Sequence, residues 1–477
     1  YGLDITSAGI VTISNIDATG SGYGIRVDNT YGIGKGVTVS NADCSGSTIG
    51  EGLLIYSKGA ITITDIVSND NALNQGANLS NSNASTPQTI KVTRGQFNGN
   101  ISSYGLVITS RGAVTLNSVQ ANDNGGDGAC INTCIYKGGM DQCDGTGGLT
   151  VSGSGNSFSR NGAYGLYVYS RGGVSLSNVA IDENGSTGLH LLHYHSNCSG
   201  TVTLTSTGGG MNSISNNGYY GAEIKTVGIV TLSNLNANTN FNDSGYTYTN
   251  IFGTFYIDNT YGSVGRNVTI TNAHFNSNQE DGLYIASKGL VTLNGVETSD
   301  NSKHFWEIDD DSGAIVNDRL PREQEYGEVW WFEGSASQGV TIDLKSSAFD
   351  AYLELYDQDW HLLAADNDSV ASGEDAQITY TLPSAQIYYL MVKSNVEGEY
   401  GKYQLSMGSG SAFDFAYIGI NVNNGSGSAD VLIKKNSASG YGALAQDNNS
   451  MGLNVYSRGN ITFSNVETRY NGGYYGA

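Results

Sequence analysis

Three histidines crowd into six residues, His190, His193 and His195, and Cys198 follows three positions on. Imidazole and thiolate are the ligands of zinc and its neighbours in the transition series, so this segment is the first place to look for metal chemistry. The spacing follows no standard ligand pattern. Leu189 and Leu191 alternate with His190, which therefore faces outward from a strand. Cys130 takes the equivalent outward position two coils earlier, about 10 Å away at strand spacing. The segment reads as a surface loop rather than a metal centre. Of the five cysteines, Cys134 and Cys143 frame an eight-residue Gly-rich loop that lengthens its coil. A disulfide between them would limit the entropy of that loop. Cys44, Cys130 and Cys198 are left unassigned.

A cation recurs at one motif position, as Lys58, Arg111, Arg171, Lys288 and Arg458, with Ala8 and Val227 breaking the column. Such a stripe would suit an acidic polysaccharide. In a chain of net charge −22 it reads instead as a solvated turn position. Carboxylate catalysis needs two or three acidic groups converging on one cleft, or carboxylates holding calcium beside a base. Asp28 and Asp258 both sit in Asp-Asn-Thr-Tyr-Gly copies and belong to the repeat, while Glu280-Asp281 and Asp182-Glu183 lie at separate turns. No Ser/His/Asp set, phosphate loop or dinucleotide motif rises above chance. The expectation is that the chain is not an enzyme.

These residues all hang on a repeat. One motif reads Ser57-Lys58-Gly59-Ala60-Ile61-Thr62-Ile63, then Ser110-Arg111-Gly112-Ala113-Val114-Thr115-Leu116, and its glycines lie 50, 53, 60, 56, 61 and 170 residues apart from Gly9 to Gly459. Val114 and Leu116 face one way and Thr115 the other, which is strand alternation. A second strand precedes each motif, as in Leu106-Val107-Ile108, and a similar pair falls halfway between motifs, as in Ile90-Lys91-Val92. Each period is therefore two coils of about 25 residues, and the whole makes about 13 rungs at ~4.8 Å each. A polar ladder runs beside the apolar one, with Asn71, Asn124, Asn184, Asn240, Asn301 and Asn471 at matching places. Asn tolerates left-handed turns, and its amide can bond the Asn above and below. The predicted fold is all-β, a right-handed parallel β-helix whose coils bury their inward residues only against their neighbours.

The acidic balance disfavours nucleic acid and anionic membranes, and no stretch approaches the 18 apolar residues of a membrane span. The repeat resembles the giant repetitive β-helix surface proteins of bacteria and archaea. That resemblance implies an extracellular or cell-surface place. It is specific for fold, since β-helices serve as lyases, tail spikes, adhesins and filaments alike.

Between Ser302 and Ser411 the composition changes: all four Trp and 20 of the 44 acidic residues fall there, but only 9 of the 66 Gly. The chain divides into β-helix over 1–301, an inserted domain over 302–411 and β-helix resumed over 412–477. The segments Trp330-Trp331-Phe332-Glu333-Gly334, Phe349-Asp350-Ala351-Tyr352-Leu353-Glu354-Leu355-Tyr356, Asp366-Asn367-Asp368 and Gly401-Lys402-Tyr403-Gln404-Leu405 resemble the bacterial pre-peptidase C-terminal domain. The resemblance implies a small jelly-roll β-sandwich. It also implies a calcium site at an acidic first segment, matched in kind by Glu307, Asp309, Asp310 and Asp311. The second acidic element departs from the family, with Glu325 and Glu328 in place of paired aspartates. No other cofactor is required.

The expected function is a structural subunit of an extracellular filament, sheath or adhesin. Its expected partners are other copies of itself, or further repeats of a longer chain, stacked head-to-tail. Tyr1-Gly2-Leu3 and Tyr475-Gly476-Ala477 stand in the coil register that such stacking would use. A glycan-binding surface module, with an extracellular polysaccharide as partner, is the second expectation, and a polysaccharide lyase or hydrolase the third.

Overall fold

The computed structural model describes residues 1–135, 143–240, 255–278, 281–301, 305–308, 327–346, 349–358, 361–367, 375–395, 401–409, 420–435, 443–446, 448 and 452–469. It falls into two compact units, Tyr1–Ser302 with Tyr417–Ala477, and Lys303–Ala416.

The first unit is a parallel β-helix. Its first sheet has 13 strands, from Leu3–Thr6 to Leu453–Ser457, each hydrogen-bonded in parallel to the corresponding strand of the next coil. Inward positions stack without slippage, as in Leu106, Ala129, Leu166, Leu189, Ala222 and Phe255. The second face stacks Val114, Leu149, Val174, Val202, Val230, Val268, Val291 and Val431 in the same way. β-Branched and Leu side chains fill these columns because a half-buried pleated surface favours them, and together they form one continuous core. Strands of the second face, such as Val37–Asp43 and Ile61–Val67, turn a corner part-way along. Asn41, Asp65, Arg94, Ser118, Asn178, Asn234 and Asn272 occupy that corner in left-handed geometry, with φ between 49° and 55°.

The asparagine ladder is denser than the sequence suggests. Asn71, Asn100, Asn124, Asn161, Asn184, Asn217, Asn240, Asn278, Asn301 and Asn448 follow one another on successive coils. Each Nδ2 donates to the next Oδ1, over 2.7 Å from Asn71 to Asn100 and 3.1 Å from Asn278 to Asn301. The same oxygen accepts the backbone N–H of the preceding Asn, as from Asn100 to Asn124 at 3.0 Å. Asn471 lies outside the described residues. One expectation is corrected. None of these ladder asparagines takes the left-handed conformation. The residue before each from Asn71 to Asn301 does, as Asp70, Asp123, Glu183, Thr239 and Asp300. The ladder selects Asn for its amide, not for its backbone freedom.

The motif glycines do not adopt positive φ; from Gly59 onward the preceding coil passes too close for a side chain. A Cβ at Gly112 would meet the Gln88 carbonyl oxygen at 2.3 Å, and one at Gly289 would meet the Arg266 oxygen at 2.0 Å.

The second unit is a β-sandwich of two four-stranded antiparallel sheets. One runs Phe305–Ile308, Gly401–Ser409, Gly339–Ser346, Ala376–Thr381, and the other Gly327–Gly334, Gln386–Ser394, Ala351–Tyr356, Leu362–Asp366. Val340, Ile342, Leu344, Leu353, Leu355, Ile378, Leu390 and Val392 interleave in a core of its own. The β-helix continues across this excursion. Leu283–Ser287 pairs in register with Ile420–Asn424, and the Asn301 amide reaches Asn448 Oδ1 at 2.9 Å.

Two expectations follow. Asn184→Ala leaves the Asn161 amide and backbone N–H without their buried acceptor, so urea titration should show a loss of more than about 2 kcal/mol. A change within ~0.5 kcal/mol would mean the ladder bonds do not hold the turns. Deleting residues 302–411 and joining the ends should leave the β-helix folded, because the sandwich core is separate. Disappearance of the parallel-sheet circular dichroism signal would refute this.

Candidate functional site

The outward positions of the first sheet form columns as regular as the inward ones. Cys130, Tyr167, His190, Glu223, Tyr256 and Tyr284 are successive partners in one column. Asn132, Tyr169, Leu192, Lys225, Asp258 and Ala286 make the column beside it. Rings meet along the column: Tyr167 stacks on His190 at 5.0 Å between centroids, and Tyr256 on Tyr284 at 5.3 Å with planes 2° apart. Turn residues extend the aromatic surface, with Tyr164 at 5.1 Å from the His190 ring and Tyr220 at 6.3 Å from Tyr256. Burial raises the phenol of Tyr167 to about 12, and those of Tyr164, Tyr256 and Tyr284 also rise. At neutral pH these hydroxyls are uncharged donors and acceptors at the edges of apolar rings.

Two carboxylates on this face have opposite environments. Glu223 stands between His190 Nδ1, 2.7 Å from Oε2, and Lys225 Nζ, which bonds Oε1. Burial works to raise its carboxyl, but the bonds from His190 and Lys225 outweigh it and hold the group ionised, below its ordinary range. Asp127 opens the coil that carries Cys130 and is almost fully buried. Burial lifts its carboxyl to about 6, opposed by the Tyr164 backbone N–H, which donates to Oδ1 at 3.1 Å, and by nearby His190. It borders a cavity of about 500 Å³ lined by Ser103, Tyr104, Cys130, Tyr164 and Tyr167 among others. Cys130 and Glu223 lie three coils apart, about 14 Å at ~4.8 Å per coil.

The His/Cys segment is not the surface loop expected. His190 faces outward, two coils from Cys130 with Tyr167 between them. His193 and His195 are buried. His193 takes the place that Ser or Thr fills on neighbouring coils. Its Nδ1 accepts the Thr226 hydroxyl at 2.9 Å, and Nε2 donates to the Arg171 and Ser199 carbonyls at 3.2 Å. Burial lowers its pKa, so it stays neutral. Cys134 and Cys143 are joined in a disulfide, with Cα atoms 4.6 Å apart. Cys44 and Cys130 are free, and burial raises each thiol to about 12, which leaves them unreactive.

The basic column is neither a binding stripe nor solvated where its contacts are described. Arg111 donates to the Ala84 carbonyl at 2.9 Å and pairs with Asp144 at 2.9 Å. Arg171 donates to the Gly145 carbonyl at 2.6 Å and to Asn197 at 3.3 Å. Lys288 holds the Thr260 and Gly262 carbonyls. These cations pin loops that differ in length from coil to coil. Of the expected calcium ligands, Glu307 lies on a strand whose backbone pairs with Lys402. Asp309, Asp310 and Asp311 lie outside the described residues.

The model of the bacterial pre-peptidase C-terminal domain matches residues 327–394. That segment spans the strands Gly327–Gly334 to Gln386–Ser394 of the sandwich. No curated protein matches the sequence. Among solved structures, the enzymatically active domain of Bacteriophage CBA120 tailspike protein 4 is similar at 9% identity and a TM-score of 0.15. The match covers 79% of this chain and 64% of that one, less than two thirds of the tailspike domain's length. At that TM-score the superposition transfers no residue and no mechanism. The expectation that this chain is not an enzyme is withdrawn.

Asp127 supplies a pH test. The folded chain holds its proton up to about 6 against an ordinary value of 3.8, so stability falls as pH rises through that window. Above it, the buried charge costs on the order of 1–3 kcal/mol. Asp127→Asn keeps the acceptor for the Tyr164 N–H and removes the charge. It should melt higher than the parent at pH about 7.5, and the difference should vanish below pH about 4. An equal difference at both pH values would show that ionisation of Asp127 is not the cause.

Proposed function

We propose that this chain is an extracellular, surface-displayed protein of the adhesin type, whose outward first-sheet face takes a polysaccharide. The observation that carries the reading is the ring column Tyr167, His190, Tyr256 and Tyr284, interrupted by Glu223. An extended glycan offers apolar sugar faces and hydroxyl edges at a regular interval. Rings and carboxylates repeated at the ~4.8 Å coil spacing offer the complement. Ionised Glu223 accepts from hydroxyls along this face, and below pH about 6 protonated Asp127 adds a donor beside it. A net charge of −22 favours a neutral over an acidic polysaccharide. The match of the inserted sandwich to a bacterial pre-peptidase C-terminal domain supports the extracellular place.

A second reading is a structural subunit of a filament or sheath that assembles by end-to-end stacking. The in-register parallel pairing of every first-sheet strand favours it, because a further coil of the same register continues both sheets.

Affinity electrophoresis through gels cast with neutral polysaccharides separates the two. The parent should be retarded by at least one of them. Tyr167→Ala with Tyr256→Ala should lose about tenfold in affinity per ring, ~1.4 kcal/mol each, with little change in melting temperature. New reducing ends in the polysaccharide would make the protein a depolymerase acting at this face. Equal mobility with and without every polysaccharide, together with regular filaments in electron micrographs, would replace the glycan reading with the second.

A further inference from the structure

Beside the aromatic face, the loops that leave three successive first-sheet strands meet in a small buried cluster. Cys134 follows strand Ala129–Asn132, Tyr169 ends strand Leu166–Tyr169, and His195 and Cys198 follow strand Leu189–His193. Cys134, Cys143, Tyr169 and Cys198 pack together with Tyr167, Leu192 and Val227 around them. The ligand atoms of Cys134, Cys143 and His195 all lie within 4.8 Å of one another. His195 is 3% exposed, and its Nε2 contacts the Tyr169 hydroxyl.

The frame around these groups is built rather than incidental. Cys143 N–H donates to Asn197 Oδ1 at 3.1 Å, and Asn197 Nδ2 returns a bond to the Cys143 carbonyl at 2.8 Å. Arg171 ties Gly145 to Asn197 from the other side. Cys198 N–H donates to the His195 carbonyl at 2.9 Å, which fixes the turn between two of the groups. Two sulfurs and an imidazole are thus held together by backbone bonds that do not depend on the disulfide.

We propose that this cluster is a transition-metal site opened by reduction. While Cys134 and Cys143 are bonded to each other, neither sulfur is a thiolate ligand. A two-electron reductant, here a water-soluble phosphine, breaks the S–S bond. Each sulfur takes a proton from water and the phosphorus takes the oxygen. A divalent ion of the zinc type then displaces both thiol protons and binds the two thiolates with His195. Cys198 packs in the same cluster, its Sγ donating to the Ser170 carbonyl at 3.4 Å outside the three-atom set, and it turns in as the fourth ligand. The set Cys-Cys-His-Cys suits tetrahedral zinc, with Zn–S of about 2.3 Å and Zn–N of about 2.0 Å. Metal in place of the disulfide keeps Cys134 and Cys143 joined under reducing conditions and ties their loop to the one that carries His195 and Cys198. The inference is independent of the glycan reading.

The test uses the full chain, oxidised or phosphine-reduced, with cobalt(II) as a spectroscopic probe and zinc for stoichiometry. Reduced protein should bind one ion per chain, with a thiolate-to-cobalt charge-transfer band and the intense visible bands of tetrahedral cobalt. Oxidised protein should bind none. Zinc at 100 times its dissociation constant should stabilise the reduced form by ~2.7 kcal/mol and leave the oxidised form unmoved. Cys143→Ser and His195→Ala should each abolish the charge-transfer spectrum or weaken binding at least tenfold, and Cys198→Ala should do the same. Cys44→Ala and Cys130→Ala, whose thiols lie elsewhere, should bind as the parent does. Circular dichroism identifies any variant that fails to fold. The parent's own reduced and oxidised spectra decide the matter without variants. Reduced parent that takes up no cobalt, or that shows no thiolate band, would overturn the site.

Discussion

A buried turn that repeats on every coil has to satisfy its own polar atoms without water. The asparagine ladder is how this chain does it. Each Oδ1 accepts two N–H groups from the preceding coil, and each Nδ2 donates onward, as Asn161 does to Asn184 at 2.9 Å and to the Ala121 carbonyl at 3.1 Å. An unpaired buried amide costs about 1–3 kcal/mol, so one missing member strands groups on both neighbours. The arrangement therefore tolerates only one axial register. Slipping one coil by a residue would break the amide chain and turn the inward columns outward together.

That single register is what gives the outer face its geometry. Side chains on the first sheet have no core to pack against, yet Tyr167, His190 and Glu223 line up because Leu166, Leu189 and Ala222 behind them are locked. Loop length is free to vary where the chain passes from the first sheet to the second. The segments after Asn132 and His193 are longer than the tight Ser-Lys-Gly or Ser-Arg-Gly turns. Variation collects there and so does unusual chemistry: the disulfide, the buried histidines and the braced carbonyls. Arg111, Arg171 and Lys288 hold these loops at the one position that each coil repeats.

The parallel β-helix and its rung count were legible because both rest on periodicity, and the inserted sandwich because composition changes there and its segments resemble a known domain. Alternation of Val114-Thr115-Leu116 marks a strand in any context, and fixed glycine spacing marks a coil. Half of the ladder escaped notice for the same reason. Asn100, Asn161, Asn217 and Asn278 sit on the intermediate coils, where loops of different length shift them out of the simple count. Position along the chain says nothing about how a loop folds back. His193 and His195 looked exposed because they follow a strand in a polar stretch. They are buried because the Cys143 and Ser199 loops close over them. Which rings align on the aromatic face was not legible, since that depends on the register between neighbouring coils.

Asp127 and Glu223 show how the same scaffold shifts two carboxyls in opposite directions on one face. Asp127 lies at a turn where the backbone offers its carboxyl one N–H and little else, so desolvation governs and the proton stays to about 6. Glu223 lies mid-strand, where the neighbouring coil delivers His190 and its own strand delivers Lys225 two residues on. Strand geometry makes that second contact automatic, because residues i and i+2 share a face. Stacking makes the first automatic, because partners in register stand ~4.8 Å apart. Neither carboxylate is tuned by a dedicated pocket. Glu223 takes its charge from the two periodicities of the β-helix and Asp127 from its burial at a turn, so a substitution at His190 or Lys225 changes the electrostatics of the face without touching the core.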